Sequence, residues 1–352
     1  MTSPMASLID ASVRYDLAES TCPPLTTDEL GPLPALSLGY GTTRGPESLR
    51  ALIAAETGVS ADQVLVTAGA QQALSLVASL LSPGDGVVLL TPCFPPARSV
   101  PEAIGARVDV VPLSFDDGYR MPLDRVASAL RPDTRLVSLA SPQNPSGVRF
   151  TEEELGGLLA AVSDRAPEAV VLVDETYRSS SYSDASPARS AAGLSPRVVT
   201  CSSLSKAHGA PGLRTGWLTA PDADLYVRLQ EAKFRSTVAS STVDSFLAEQ
   251  VLRRQASILA TRASRLRAAL DVVVRWAAGQ PVEIVVPDGG ALCCLRIDRV
   301  GEFYSRLTAL DTRVAPGSWF GDDDRVFRVG FGHLPIEDLV EALDRVGLAI
   351  SS

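Results

Sequence analysis

The sequence predicts an α/β fold, with a large domain on a mostly parallel, doubly covered sheet and a smaller α+β domain built from the N- and C-terminal segments. Three observations carry this expectation. Short apolar runs alternate with helical periodicity from residue 64 to residue 219, the pattern of parallel strands joined by right-handed crossovers. Val170-Val171-Leu172-Val173 is apolar without a break, as a strand covered on both faces requires. After Pro221 the texture changes to a long Arg- and Ala-rich helical stretch, followed by separate strands and helices. The expected division is 46–240 for the large domain, and 1–45 with 241–352 for the small domain and its N-terminal arm.

Residues 1–45 are irregular and rich in proline, with Pro23, Pro24, Pro32 and Pro34. Gly39-Tyr40-Gly41 lacks both a preceding strand and a correctly spaced third glycine, so it is not a dinucleotide loop. Pro46 opens a helix that carries Leu49, Leu52 and Ile53 on one face and ends near Gly58. Strands follow at 64–67, 87–91, 107–113, 135–140, 170–173 and 198–201, and the run 216–219 completes the sheet. Helices at 71–81, 96–104 and 123–130 lie between them, and Thr151-Glu152-Glu153-Glu154 is a capping box for another. In the second part, 223–276 reads as helical. Strands are expected at 282–286, 291–297 and 325–330, with helices at about 300–310 and 335–347.

The chain has 352 residues, enough for two cores, and a net charge of −9 with no cluster of Lys and Arg. That balance argues against nucleic acid and against an acidic membrane surface as partners. Cys22, Cys93, Cys201, Cys293 and Cys294 show no Cys-x-x-Cys spacing and read as reduced, mostly buried thiols of a cytoplasmic protein. The start of the chain has no signal-peptide pattern, and no apolar run is long enough to span a membrane. Two histidines make a His-based metal site improbable, and no metal is expected. Gly-x-Ser-x-Gly, P-loop and His-Glu-x-x-His motifs are absent.

The chemistry concentrates on Ser203-Leu204-Ser205-Lys206, just past the strand at 198–201, with Arg214 eight residues on. A lysine enclosed at a strand end loses hydration, and its amine becomes free to attack a carbonyl. Hydroxyls and a guanidinium fork make a cradle for a phosphate dianion. A Schiff-base amine beside a phosphate site suggests pyridoxal phosphate (PLP). In a parallel sheet, ligands gather beyond the C-terminal strand ends, and several residues fall there. Gly69-Ala70-Gln71 would let backbone N–H groups approach an anion, or form an ordinary tight turn. Asp174 would pair with a protonated pyridine nitrogen, or cap the next turn. Asn144 and Tyr177 could bind a phenolic oxygen, and Phe94 could stack on a ring. Arg328, on the strand argument alone, reads as a salt-bridged or surface arginine.

Taken together and in order, these residues resemble the fold-type I PLP enzymes, specifically the class I/II aminotransferase (aspartate aminotransferase-like) family. The resemblance covers nearly the whole chain. It runs through Tyr40 with Gly45 and Leu49-Arg50, Gly69-Ala70-Gln71, Phe94 and Asn144-Pro145-Ser146-Gly147. Asp174 with Tyr177, Ser203-Leu204-Ser205-Lys206 with Arg214, and Gly289-Gly290-Ala291 follow. Val314-Ala315-Pro316-Gly317 and Phe327-Arg328-Val329-Gly330 close it.

The resemblance implies that Lys206 binds the cofactor and shuttles the proton, that Asp174 pairs with the pyridine nitrogen, and that Asn144 and Tyr177 hold the phenolic oxygen. It implies that Phe94 stacks on the ring and that Gly69, Ala70, Gln71, Ser203, Ser205 and Arg214 surround the phosphate. Tyr40 would reach the phosphate of a neighbouring subunit in a homodimer with shared active sites. Arg328, with Asn144, would take the substrate α-carboxylate.

The implied activity is exchange of an amino group between an α-amino acid and a 2-oxo acid. The same scaffold also serves β/γ-elimination or replacement, decarboxylation, cyclisation or oxidation in specialised biosynthesis. A catalytically silent PLP-binding protein is a third reading, disfavoured by the presence of both Lys206 and Arg328. His208 departs from the family pattern and reads as packing, or as a second acid or base; His333 reads as structural. The segment Glu19-Ser20-Thr21-Cys22-Pro23-Pro24 lines the pocket in this reading, without a legible specificity.

Overall fold

A computed structural model describes residues 13–183 and 187–351. The part of the N-terminal reading that falls on residues 1–12 lies outside them.

Seven strands form the main sheet, in the spatial order Val64–Ala68, Thr215–Thr219, Val198–Ser203, Val170–Asp174, Thr134–Ala140, Gly86–Thr91, Arg107–Pro112. All pairings are parallel except those of Thr215–Thr219, which runs antiparallel to both neighbours. Residues 204–214 supply that reversal, because they are fewer than the dozen or so that a parallel crossover needs. Thr215–Thr219 therefore begins at the edge where the other strands end.

Local chemistry sets the helix ends. Helix Glu47–Thr57 stops at Gly58, whose φ of 76° turns its N–H back onto the Ala54 carbonyl. Thr151 caps Glu152–Arg165 through the expected box with Glu154. Helix Gly69–Ala78 starts earlier than its periodicity suggests and ends short of 81. Its last residues tighten instead into i→i+3 turns, Leu80 N–H to Val77 O and Leu81 N–H to Ala78 O. The helical stretch after Pro221 is three helices, Ala223–Thr237, Thr242–Arg253 and Gln255–Ala278. Asp222 and Ser241 side chains accept the N–H groups that cap the first two.

The smaller antiparallel sheet has the order Ala315–Pro316, Val326–Gly330, Leu292–Arg296, Glu283–Val285. It shares one apolar core with helices Gln255–Ala278 and Ile336–Ser351 through Leu266, Val273, Cys293, Phe327 and Leu343. Tyr15–Asp16, not expected as a strand, pairs in parallel with Thr312–Arg313 and brings Leu17 into that core. Helix Thr242–Arg253, on the small-domain side of the sequence division, packs Leu247 and Val251 against Leu49, Ile53 and Trp217 over the large sheet. All five cysteines are free and buried, and burial pushes the thiols of Cys22 to about 11 and of Cys93 and Cys293 to about 12.

Candidate active site

The parallel strands end together at Ala68, Thr91, Ala140, Asp174 and Ser203, and Thr215 starts beside them. Nearly every residue singled out from the sequence therefore lies on one edge. Gly69 follows Ala68 at φ +71° and opens a helix. A Cβ there would lie 2.5 Å from Arg214 Nη2, so only glycine lets the guanidinium approach the helix start. Free N–H groups at a helix start and an adjacent guanidinium form an anion cradle. Arg214 is fixed by Nη1–H donating to Pro211 O at 2.9 Å. Ala70 and Gln71 are half-buried on the same helical turn, and Ser203 Oγ accepts the Ser205 N–H at 3.3 Å.

Lys206 Nζ lies on the same edge, 3.4 Å from Ser20 Oγ, 3.7 Å from Glu19 Oε1 and 6.0 Å from the centroid of the Tyr177 ring. Ser20 Oγ also meets Tyr177 Oη at 2.8 Å, so one hydroxyl joins the lysine to the phenol. The Asp174 carboxylate receives the Thr176 backbone N–H at 2.9 Å and the Thr176 hydroxyl at 2.5 Å. Burial nevertheless raises its carboxyl above the ordinary value, against those hydrogen bonds, Cys201 and the charge of Lys206. Among the described residues, no basic side chain lies within ion-pair distance of it. Asp174 lines one cleft with Ala140 and Phe94.

Arg328 is 1% exposed. Its Nη1–H donates to Asn144 Oδ1 at 2.8 Å, its Nη2–H to the Ala18 carbonyl, and its guanidinium lies 4.8 Å from the Phe320 ring centroid. These partners are all neutral, and its buried Nε has no partner. The reading of Arg328 as a salt-bridged or surface residue is thus overturned. Desolvation lowers its pKa, opposed by Tyr177 and Glu19.

Tyr40 does not join the others: it is 94% exposed, away from the site of its own chain. His208 is buried, with neither ring nitrogen within hydrogen-bond geometry of a partner. Burial lowers its pKa, so the neutral ring that packing requires is the favoured form. The 19–24 segment was expected at the pocket, but the contacts of Ser20 with Tyr177 and Lys206, and the part played by the Ala18 carbonyl, were not legible. Ser20 is separated from Tyr177 by 157 residues and from Lys206 by 186, and no local pattern encodes either contact.

Residues 36–346 match the family model described as aminotransferase class I and II. The chain belongs to that family. Pyridoxal phosphate is its cofactor, and transamination its activity. The aminotransferase is 33% identical to arginine–pyruvate transaminase of Pseudomonas aeruginosa, over 79% of this chain and 72% of that protein. It is 32% identical to capreomycidine synthase of Streptomyces vinaceus, over 83% of this chain and 76% of that protein. Its fold superposes on a PLP-dependent aminotransferase from Streptococcus suis with a TM-score of 0.90 and 25% identity, covering 100% of this chain and 98% of the other.

The residues present suit such a cofactor. The Gly69–Arg214 cradle would suit a phosphate, and the raised carboxyl of Asp174 would suit a protonated ring nitrogen. In this aminotransferase the arrangement of strands, antiparallel Thr215–Thr219 included, brings both groups to one edge.

Proposed function

We propose that the enzyme exchanges the amino group between an α-amino acid and a 2-oxo acid in two half-reactions at the edge described above. The observation that carries this reading is Arg328, a buried guanidinium surrounded by neutral oxygens and a ring, which contacts the same short segment, Ala18–Ser20, as the amine of Lys206. A buried charge without a counter-ion is costly, and the α-carboxylate of a substrate would neutralise it through a bidentate fork.

Bound pyridoxal phosphate supplies an electron sink for the substrate's α carbon. The chain's residues do the rest. Gly69, Ala70, Gln71, Ser203, Ser205 and Arg214 would hold the phosphate. Asp174 would keep the ring nitrogen protonated, and Phe94 would stack on the ring. Tyr177 and the amide N–H of Asn144 would bind the phenolic oxygen. Asn144 Oδ1 meanwhile orients Arg328, which couples cofactor and substrate binding. Lys206 Nζ would act as the base that takes up the proton of the substrate's α carbon, with Ser20 Oγ holding the amine near Tyr177.

Tyr40 completes the phosphate site of a second subunit in a homodimer. Its 94% exposure beside exposed Leu38, and the exposed Phe234 and Val238, support a covered apolar face there. The two-part division at 46–240 belongs to the same reading, with the N-terminal arm closing the site. A cytoplasmic location accords with five free, buried thiols, and among the described residues no helix is long and apolar enough to cross a membrane.

The test is to mix the purified yellow enzyme with a panel of amino acids, follow the absorption band and identify products by mass. A 2-oxo acid with pyridoxamine phosphate is expected. Carbon dioxide, released ammonia or consumed oxygen would replace transamination by another outcome on the same scaffold. Borohydride should fix the chromophore on Lys206.

A further inference from the structure

The segment Leu17–Ser20 is held against the site from two sides. Gly330 N–H donates to Leu17 O at 2.6 Å, and a Cβ on Gly330 would sit 1.7 Å from Glu19 O, so strand Val326–Gly330 and the segment touch backbone to backbone. On the other side Cys22 N–H reaches Lys206 O at 3.4 Å and Leu25 N–H reaches Gly209 O at 2.8 Å. The Glu19 side chain is thereby fixed at the mouth of the site, 40% exposed, with Oε1 accepting the Ser20 N–H at 2.8 Å.

Burial pushes the Glu19 carboxyl up, but Lys206, the Ser20 N–H, Arg328 and His333 outweigh it and keep it below the ordinary value. The group is therefore an anion at neutral pH. Its nearest cation is Lys206, which cannot keep that role through turnover, since a lysine acting as base must be uncharged. Arg328 is already committed to Asn144, Ala18 and the α-carboxylate. Burial depresses the pKa of His333, which favours its neutral form.

We infer that Glu19 is a specificity-determining residue that selects amino acids with a cationic side chain, a guanidinium above all. The inference rests on the proposed transamination at this site. With the α-carboxylate on Arg328 and the amino nitrogen at Lys206, a carboxylate 3.7 Å from that amine is within reach of a long substrate side chain turned toward the arm. A guanidinium there restores the charge balance that Lys206 gives up, with two parallel N–H donors to one carboxylate. A dicarboxylic amino acid instead brings like charges together.

The holoenzyme is tested with L-arginine, L-citrulline, which replaces the guanidinium by a neutral urea of the same shape, and L-glutamate. Arginine is expected to exceed citrulline in kcat/KM by at least about tenfold, with glutamate slowest. Glu19→Gln brings the arginine-to-citrulline ratio toward one, and Glu19→Asp restores part of it. A second readout needs no turnover. Calorimetry should show δ-guanidinovalerate binding more tightly than δ-ureidovalerate to the wild-type holoenzyme, and equally to Glu19→Gln.

Equal arginine and citrulline kinetics, or a Glu19→Gln variant that slows all substrates in proportion, overturns the inference and leaves transamination standing. If no amino acid changes the spectrum and borohydride fixes nothing on Lys206, the functional reading falls and the inference with it.

Discussion

Two buried arginines are treated in opposite ways. Arg178 lies between two carboxylates, Glu56, whose Oε1 accepts from its Nη2, and Glu175, whose Oε2 is 3.2 Å from its Nε. The second pair is an ion pair by distance, though not aligned as a hydrogen bond. Arg178 Nη1–H also reaches Ala188 O at 3.0 Å, and Glu175 takes further donors from Ser190 and the Ala191 N–H. Arg328, just as buried, faces only an amide oxygen, a backbone carbonyl and a ring. Around Arg178 the protein answers its own charges; around Arg328 no carboxylate lies within ion-pair distance, as the proposed role in binding a substrate carboxylate requires. Burial alone therefore does not point to a functional arginine, whereas burial without a direct protein counter-ion is the observation behind the role proposed for Arg328.

The contrast can be broken by substitution. Arg178→Met leaves two carboxylates buried together and should cost about 3–5 kcal/mol in chemical denaturation. Arg328→Met removes a charge that no protein carboxylate pairs with directly, although Glu19 and Asp16 act on it from farther off. It should change stability by no more than about 1 kcal/mol while lowering kcat/KM by about a hundredfold. Equal stability losses in the two variants would erase the distinction.

A smaller effect sharpens the picture on the ligand side. Ser20→Ala deletes the hydroxyl between Tyr177 and Lys206, and about a tenfold loss in kcat is expected, the value of roughly one hydrogen bond. The effect should fall on kcat rather than on KM, because Ser20 holds the base and not the carboxylate.

The subtlest prediction concerns pH. In the fold, burial raises the Asp174 carboxyl above the 3.8 of a free aspartate. A raised acid contributes stability that is complete below the unfolded value and is lost as pH rises through the folded one. Denaturation of the apoenzyme should show that loss above pH 3.8, and Asp174→Asn should abolish it. The cofactor should abolish it too, by pairing with the carboxylate. A wild-type apoenzyme with the same pH dependence as Asp174→Asn would contradict the assignment of Asp174 as an unanswered anion.

The sheet and its ligand edge were legible because parallel strands buried on both faces leave unbroken apolar runs, as at Val170–Asp174, and because the residues after each run are chemically unusual. Lys206, Asp174, Asn144 and Gly69 announce themselves that way. The direction of Thr215–Thr219 did not, since a strand's residues do not record which way it runs; only the short connection 204–214 does. The helical stretch after Pro221 concealed its breaks for a related reason. Val238 takes φ 57°, a conformation its branched side chain does not advertise. Arg328 was ambiguous because burial with or without a counter-ion is a property of distant segments, here Ala18 and Asn144. Tyr15–Asp16 was too short to carry any periodicity.

The contact between Gly330 and Glu19 also orders assembly in time. During synthesis the seven strands of the main sheet have all been made by residue 219, and the helices that cover it, with Tyr226 and Leu247 in the packing, by residue 253. The arm at 17–20 has emerged long before, yet its docking edge at 326–330 is among the last stretches to be made. The backbone contact that seats the arm therefore forms only when translation is nearly finished, long after the arm itself was made.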